Sequence, residues 1–143
     1  MKHRKVQCWI FSNSGSQIDC LILKTIPERG GYWQPVTGTV EPEEGYFEAA
    51  CREPMEETGF EFTSPPIDIG FEFEFTSKFG VTKERVFALH VDGKPDPKMD
   101  QREHLDFKWV KPSDALKMIK YPSNIEGLKK SYESIFKKAF HEN

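Results

Sequence analysis

The sequence predicts an α+β fold, a mixed β-sheet with helices packed on its faces. Three observations carry this. Segments with the two-residue hydrophobic period of strands fill most of the first two-thirds of the chain. A helical segment at 45–58 is set between strands, and an amphipathic stretch at 124–140 closes the chain. A sheet interrupted by one helix and followed by another has two faces to cover and two elements to cover them.

Taken in order, KVQCWIF (5–11) and IDCLILK (18–24) flank the turn-rich SNSGSQ and read as a hairpin. The helix at 45–58 is stopped by Gly59, placed where a left-handed cap is favoured. IGFEFEF (69–75) alternates Phe71, Phe73 and Phe75 with Glu72 and Glu74, so its aromatic face is expected in the core. RVFALHV (85–91) is apolar on both sides, as in a central strand. HLDFKWV (104–110) sets Leu105, Phe107 and Trp109 on one face. A short helix is expected at 113–119 with Ser113 as its N-cap, then one at 124–140 opened by Ser123 and Glu126 at capping-box spacing. Ile125, Leu128, Tyr132, Ile135, Phe136, Ala139 and Phe140 form the core-facing stripe of that last helix.

The 143 residues suit a single domain, 1–143, with enough apolar surface for its own core. A net charge of −3 argues against general nucleic-acid binding, which calls for a basic face. Cys8, Cys20 and Cys51 form no CxxC pair, so neither a disulfide framework nor a zinc site is indicated. The four His are scattered without ligand spacing. The apolar run after the basic N-terminus is too short for a signal peptide, and no segment is long enough to span a bilayer. The expectation is a soluble, cytoplasmic protein with a homodimer left open.

Between Glu41 and Glu57 the chain sets Glu after Glu against the single Arg52. On a helix, Glu53, Glu56 and Glu57 fall within an arc of about 100°. Phe47, Ala50, Cys51 and Pro54 occupy a separate, apolar arc. Carboxylates so crowded repel one another, and their pKa values rise unless a cation neutralises them. With no Cys or His beside them the cation that fits is oxygen-preferring, Mg²⁺ or Mn²⁺, which also bridges to substrate phosphates. A solvated acidic face is the plainer alternative, and spacing alone does not choose between the two.

The stretch GTVEPEEGYFEAACREPMEETGF resembles the signature of the Nudix hydrolases, G-x5-E-x7-R-E-U-x-E-E-x-G-U, with U a bulky aliphatic. Gly38, Glu44, Arg52, Glu53, Glu56, Glu57 and Gly59 match, Phe60 serves as the last apolar position, and Pro54 departs. The resemblance implies a Nudix-type α/β/α sandwich with one catalytic helix and a C-terminal helix. It implies hydrolysis of a nucleoside diphosphate linked to another moiety, with Mg²⁺ or Mn²⁺ held by Glu56 and Glu57 and Glu53 assisting. Arg52 would hold a neighbouring carboxylate, Gly38 would let the preceding loop approach the metal, and the Thr37 carbonyl would add a ligand. Glu44 would brace the loop against the helix. The further acidic residue that the family recruits is expected to be Glu103, ahead of Asp100 and Glu84.

YWQPVTGTVE, EHLDFKW and KYPSN are similar to segments of one group in that family, bacterial dihydroneopterin triphosphate pyrophosphatases that also act on dATP. That likeness implies a nucleoside or pterin triphosphate as substrate, cleaved to monophosphate and pyrophosphate. Nucleotide-sanitising dNTPases, nucleoside-diphosphate-sugar hydrolases and a nucleotide-sensing domain without turnover are the other readings. Trp33 and Tyr32 either stack on the substrate ring or anchor the loop, and Lys24 and Arg29 are candidate phosphate contacts. Pro54 lacks the N–H that would bond the Ala50 carbonyl, so a kink at Glu53 is expected rather than a break.

Overall fold

The computed structural model describes residues 3–14 and 17–141. Strands β1 (His3–Ser14) and β2 (Gln17–Thr25) form the expected hairpin, with Ser14 opposite Gln17; Gly15 and Ser16 at its tip lie outside the described residues. After a 3-10 turn at Pro27–Arg29 come two short strands that periodicity is too brief to reveal, β3 (Trp33–Gln34) and β4 (Val36–Thr39). Helix α1 (Tyr46–Thr58) follows, then β5 (Ile67–Ser77), β6 (Gly80–Val91), β7 (His104–Val110), α2 (Pro112–Met118) and α3 (Pro122–Phe136).

Among the described residues the strands form a mixed sheet in the order β3-β2-β1-β6-β5, with β4 added to β1 and β7 to β2. β1 runs parallel to β6 from His3–Thr82 to Ser12–Val91. Its other edge is divided: Lys5 to Cys8 pair with β4, and Phe11 to Ser14 pair with β2. The sheet therefore splays between β4 and β2, and the chain leaves β4 directly into α1.

Alternation along β1 assigns the two cores. Val6, Cys8 and Ile10 point to one side, where Ala49, Ala50 and Phe60 meet Leu21, Leu23 and Leu89. Trp9 and Phe11 point to the other, under Ala115, Ile119 and Leu128 of the α2–α3 side. This is the α/β/α sandwich, and β6, flanked by β1 and β5, is central as expected. Phe71 and Phe73 pack on the second core, whereas Phe75, nearer the hairpin end, is 38% exposed. Phe107 and Trp109 pack on the first core, whereas Leu105 is 56% exposed.

Three helix boundaries differ from expectation. Helices α2 and α3 open on prolines, Pro112 and Pro122, capped by the backbone of Lys111 and Tyr121. Proline suits the first turn, where its missing N–H has no partner to lose, so Ser113 and Ser123 fall inside the helices instead of capping them. Helix α3 ends at Phe136, because Lys137 takes a left-handed conformation with φ of 55°. Phe140 still reaches the core edge, its ring 5.2 Å from that of Tyr132. Cys8, Cys20 and Cys51 are free. Among the described residues no helix is long and apolar enough to cross a membrane.

Candidate active site

Helix α1 runs unbroken through Pro54, which is buried, and ends at Gly59 with φ of 74°. Its inward face differs from the apolar arc expected. Ala49, Ala50, Pro54 and Thr58 are buried, while Phe47 and Cys51 are exposed. Small residues let the helix approach β1 and β4 closely, and that close approach sets its roll. Glu53 and Glu57, four apart and beside Ala49, Ala50 and Pro54, turn inward with it; their side chains are 15% and 11% exposed, against 56% for Glu56.

Gly38 on β4 makes this approach possible. A Cβ at that position would lie 2.1 Å from the Glu53 carboxyl carbon and 2.3 Å from its Oε2. The residue is glycine for want of space.

Arg52 ties the carboxylates together. Its Nη1 donates to Glu53 Oε1 and to Glu56 Oε1, both at 3.0 Å. Its Nε donates to Glu44 Oε2 at 3.2 Å, and its Nη2 to Glu44 Oε1 and to the Thr39 carbonyl. Glu44 in turn accepts from the Glu41 backbone N–H at 3.0 Å, and Arg4 donates to the carbonyls of Glu41 and Glu44, each at 3.0 Å. The loop before the helix is thus clamped to the helix by charge-assisted bonds. Glu44 is held below the ordinary carboxylate range by Arg52, and Arg52 is raised by Glu44.

Glu57 lies deepest. Among the described residues its Oε2 is buried without a hydrogen-bond partner, and its Oε1 is 4.0 Å from Nδ1 of His104. Burial, and then the charge of Glu53, push the Glu57 carboxyl up to about 9. Burial also raises Glu53, against the pull of Arg52. His104 is 4% exposed, burial lowers its pKa and so favours the neutral ring, and its Nε2 is 3.1 Å from Gln34 Nε2. These groups border an acidic hollow of about 380 Å³ with Glu56, Asp100 and Glu103. Glu103 is ion-paired with Arg29 at 3.3 Å, and its carbonyl accepts from the Ile26 N–H at 3.0 Å.

A buried carboxylate oxygen without a partner, beside a second buried carboxylate, is a fit for a hard divalent cation. Among the described residues no three acidic, His or Cys side chains are already drawn together as a bound ion draws its ligands. Glu53 and Glu56 are instead turned to Arg52.

A second, larger cleft of about 540 Å³ shares no lining residue with this hollow. Tyr32 and Tyr121, edge to face at 5.2 Å, and Phe73 and Phe75 supply its aromatic wall. Lys5, Gln34, Thr37, Glu84 and Asn124 supply its polar groups. Two contacts relate their walls: Thr37 precedes Gly38, which abuts Glu53, and Gln34 contacts His104. The expected substrate contacts lie elsewhere. Lys24 and Lys108 flank the ring of Trp33 at 5.8 and 5.5 Å, Trp33 packs on the second core, and Arg29 faces Glu103. Of the expected pair of ring partners, Tyr32 is the one in the cleft. His104 and Tyr121 were not signalled by spacing, because their partners are remote in sequence. The only hints were the EHLDFKW and KYPSN stretches that contain them.

The model of the NUDIX domain family matches residues 1–131. Over 132 residues the chain is 31% identical to an octanoyltransferase of Myxococcus xanthus, covering 90% of this chain but 36% of that protein. Over 112 residues it is 33% identical to a dihydroneopterin triphosphate diphosphatase of Haemophilus influenzae, covering 69% of this chain and 70% of that one. Among solved structures, a Caenorhabditis elegans Ap4A hydrolase in a binary complex superposes with a TM-score of 0.79 at 21% identity, over 95% of this chain and 99% of that one.

Proposed function

The chain belongs to the NUDIX domain family, and from that premise we propose that it is a divalent-metal-dependent pyrophosphohydrolase of nucleoside or pterin triphosphates. The observation that carries the reading is Glu57, whose buried Oε2 has no hydrogen-bond partner among the described residues, beside Glu53 in a hollow whose wall touches that of an aromatic cleft. Glu53, Glu56, Glu57 and Glu103, with the Thr37 carbonyl, are the residues that would hold Mg²⁺ or Mn²⁺. Bound there, the ion supplies Lewis-acid polarisation of the phosphate oxygens and neutralises their charge.

The protein's own groups do the rest. Arg52 donates to Glu53 and to Glu56 and so holds both carboxyl groups in place. Lys5 lines the cleft, on the strand beside β4, and is the cation offered there to the phosphate chain. The aromatic wall takes the ring. Water attacks one phosphorus and gives up a proton to solvent as its oxygen forms the new P–O bond, and the bridging P–O bond breaks with its electron pair leaving on pyrophosphate. The relative in Haemophilus influenzae, named for a pterin triphosphate, supports that substrate class. The acyl-transfer name of the Myxococcus xanthus relative is not carried over, since this chain spans only 36% of that protein.

The test is product identification on a panel of triphosphates and nucleoside-diphosphate sugars in saturating Mg²⁺. Pyrophosphate is expected from triphosphates, abolished by EDTA and reduced about 100-fold or more in Glu57→Gln. Sugar phosphate release would assign the diphosphate-sugar alternative. Turnover without metal, or tight nucleotide binding without turnover, would refute the proposal.

A further inference from the structure

Beneath the larger cleft runs a buried line of hydrogen bonds. Trp9 Nε1 donates to Gln7 Oε1 at 2.8 Å, and Gln7 Nε2 donates to Glu84 Oε2 at 2.8 Å. An indole N–H only donates, so Gln7 turns its carbonyl to Trp9 and its amide N–H to Glu84. Oε2 of Glu84 is therefore fixed as an acceptor. Trp9 and Gln7 are 0% exposed and Glu84 5%. Helix α3 closes on this line through Gly127, where a Cβ would lie 2.1 Å from Gln7 Oε1 and 3.2 Å from Trp9 Nε1.

Of the three, Glu84 alone lines the cleft. Gln7 engages one of the roughly four lone-pair positions of a carboxylate, so acceptor capacity remains. Burial raises the Glu84 carboxyl, while the Gln7 bond and then the charge of Lys5 favour its ionised form. Glu84 thus presents to the cleft walled by Tyr32, Tyr121 and Phe73 a carboxyl group whose direction is set by the hydrogen-bonded floor beneath it.

We propose that Glu84 is a specificity-determining residue that accepts the adjacent N–H and NH₂ donors of a 2-amino-4-oxo pyrimidine ring, the donor pair common to guanine and the pterins. The proposal rests on the reading above only in taking the cleft as the site of the substrate's ring. Adenine offers at the corresponding edge an NH₂ donor beside a ring-nitrogen acceptor, and that acceptor would oppose the carboxylate. Rejection comes from leaving buried polar groups mismatched, which discriminates more sharply than shape.

The experiment is calorimetric titration of the purified protein with dGMP, neopterin and dAMP. The wild type is expected to bind dGMP or neopterin about tenfold or more tighter than dAMP, as a bidentate pair allows. Whichever of the two is tighter assigns purine or pterin. Glu84→Gln offers one donor and one acceptor, and is expected to bring the ratio to dAMP within about threefold. Glu84→Asp, which withdraws the carboxylate, is expected to lose the preference too, and the wild-type comparison needs no variant to fold. Equal affinities, no binding of any of the three, or a preference unchanged in the variants would overturn the proposal. Pyrophosphate release is read separately: its absence refutes the hydrolase, and the ring preference stays measurable.

Discussion

Gly38 and Glu53 meet with no room for a side chain between them: a Cβ at Gly38 would fall 2.1 Å from the Glu53 carboxyl carbon. The obstructing atoms are the end of a flexible side chain, so Gly38→Ala is expected to shift the carboxylate and spare the backbone. Thermal stability should stay near that of the wild type while turnover falls by about 100-fold, the scale set by ångström misplacement of a reacting group. Calorimetry and a pyrophosphate-release assay check the two halves. Full turnover in this variant would count against Glu53 as part of the site.

Glu57 couples stability to pH and metal. Its folded pKa, about 9, lies above the ordinary 4.5, so the folded metal-free protein binds a proton that the unfolded chain releases. Its contribution to stability is present below the unfolded value and lost as pH rises through the folded one. In EDTA the melting temperature is expected to fall across that window on this group's account, and the gain from added Mg²⁺ to grow with pH. Glu57→Gln should flatten both curves. A Mg²⁺ gain independent of pH would sink the assignment.

Pro54 withholds an N–H from α1 in a helix that otherwise runs unbroken. Pro54→Val restores the donor in a side chain of similar volume, and is expected to raise stability by up to about 3 kcal/mol, the usual cost of an interior proline. Activity should be kept or raised. Denaturant unfolding measures the first part, and a marked loss of both stability and activity would show that the proline is required.

The phosphate-binding cation is expected to be Lys5, which lines the cleft, and not Lys24, which flanks Trp33. Lys5→Ala should raise KM for triphosphates about tenfold, the worth of one charge-assisted contact. Lys24→Ala should leave KM near the wild-type value. The reverse ranking in steady-state kinetics would return the role to Lys24.

Much of this was legible in the chain. The hairpin, the central strand and the cap at Gly59 follow from period, turn chemistry and a single glycine, all of them local. The register from Gly38 to Gly59 pointed to the family because it is contiguous. Ser113 and Ser123 misled because a proline beside a serine competes for the helix start and takes it. Trp33 left two readings open, because an aromatic next to the signature loop has two faces of the sheet to choose from; it packs on the face away from α1, as an anchor.

The sequence by itself determined which residues share an element and at what angular spacing they stand. It did not determine how α1 is rolled about its axis, which is decided by what the helix packs against. Ala49 and Ala50, set against β1 and β4, turn Glu53 and Glu57 inward and leave Glu56, on the same expected acidic arc, at the rim. Nor did it determine the pairs far apart in the chain. Gln7 meets Glu84 because β1 lies parallel to β6, Tyr32 meets Tyr121 because Trp33 bridges to Ile119, and Glu57 faces His104 because β7 is added beside β2. Spacing within an element is set by backbone geometry. Which elements become neighbours is set by the whole sheet closing on its two cores.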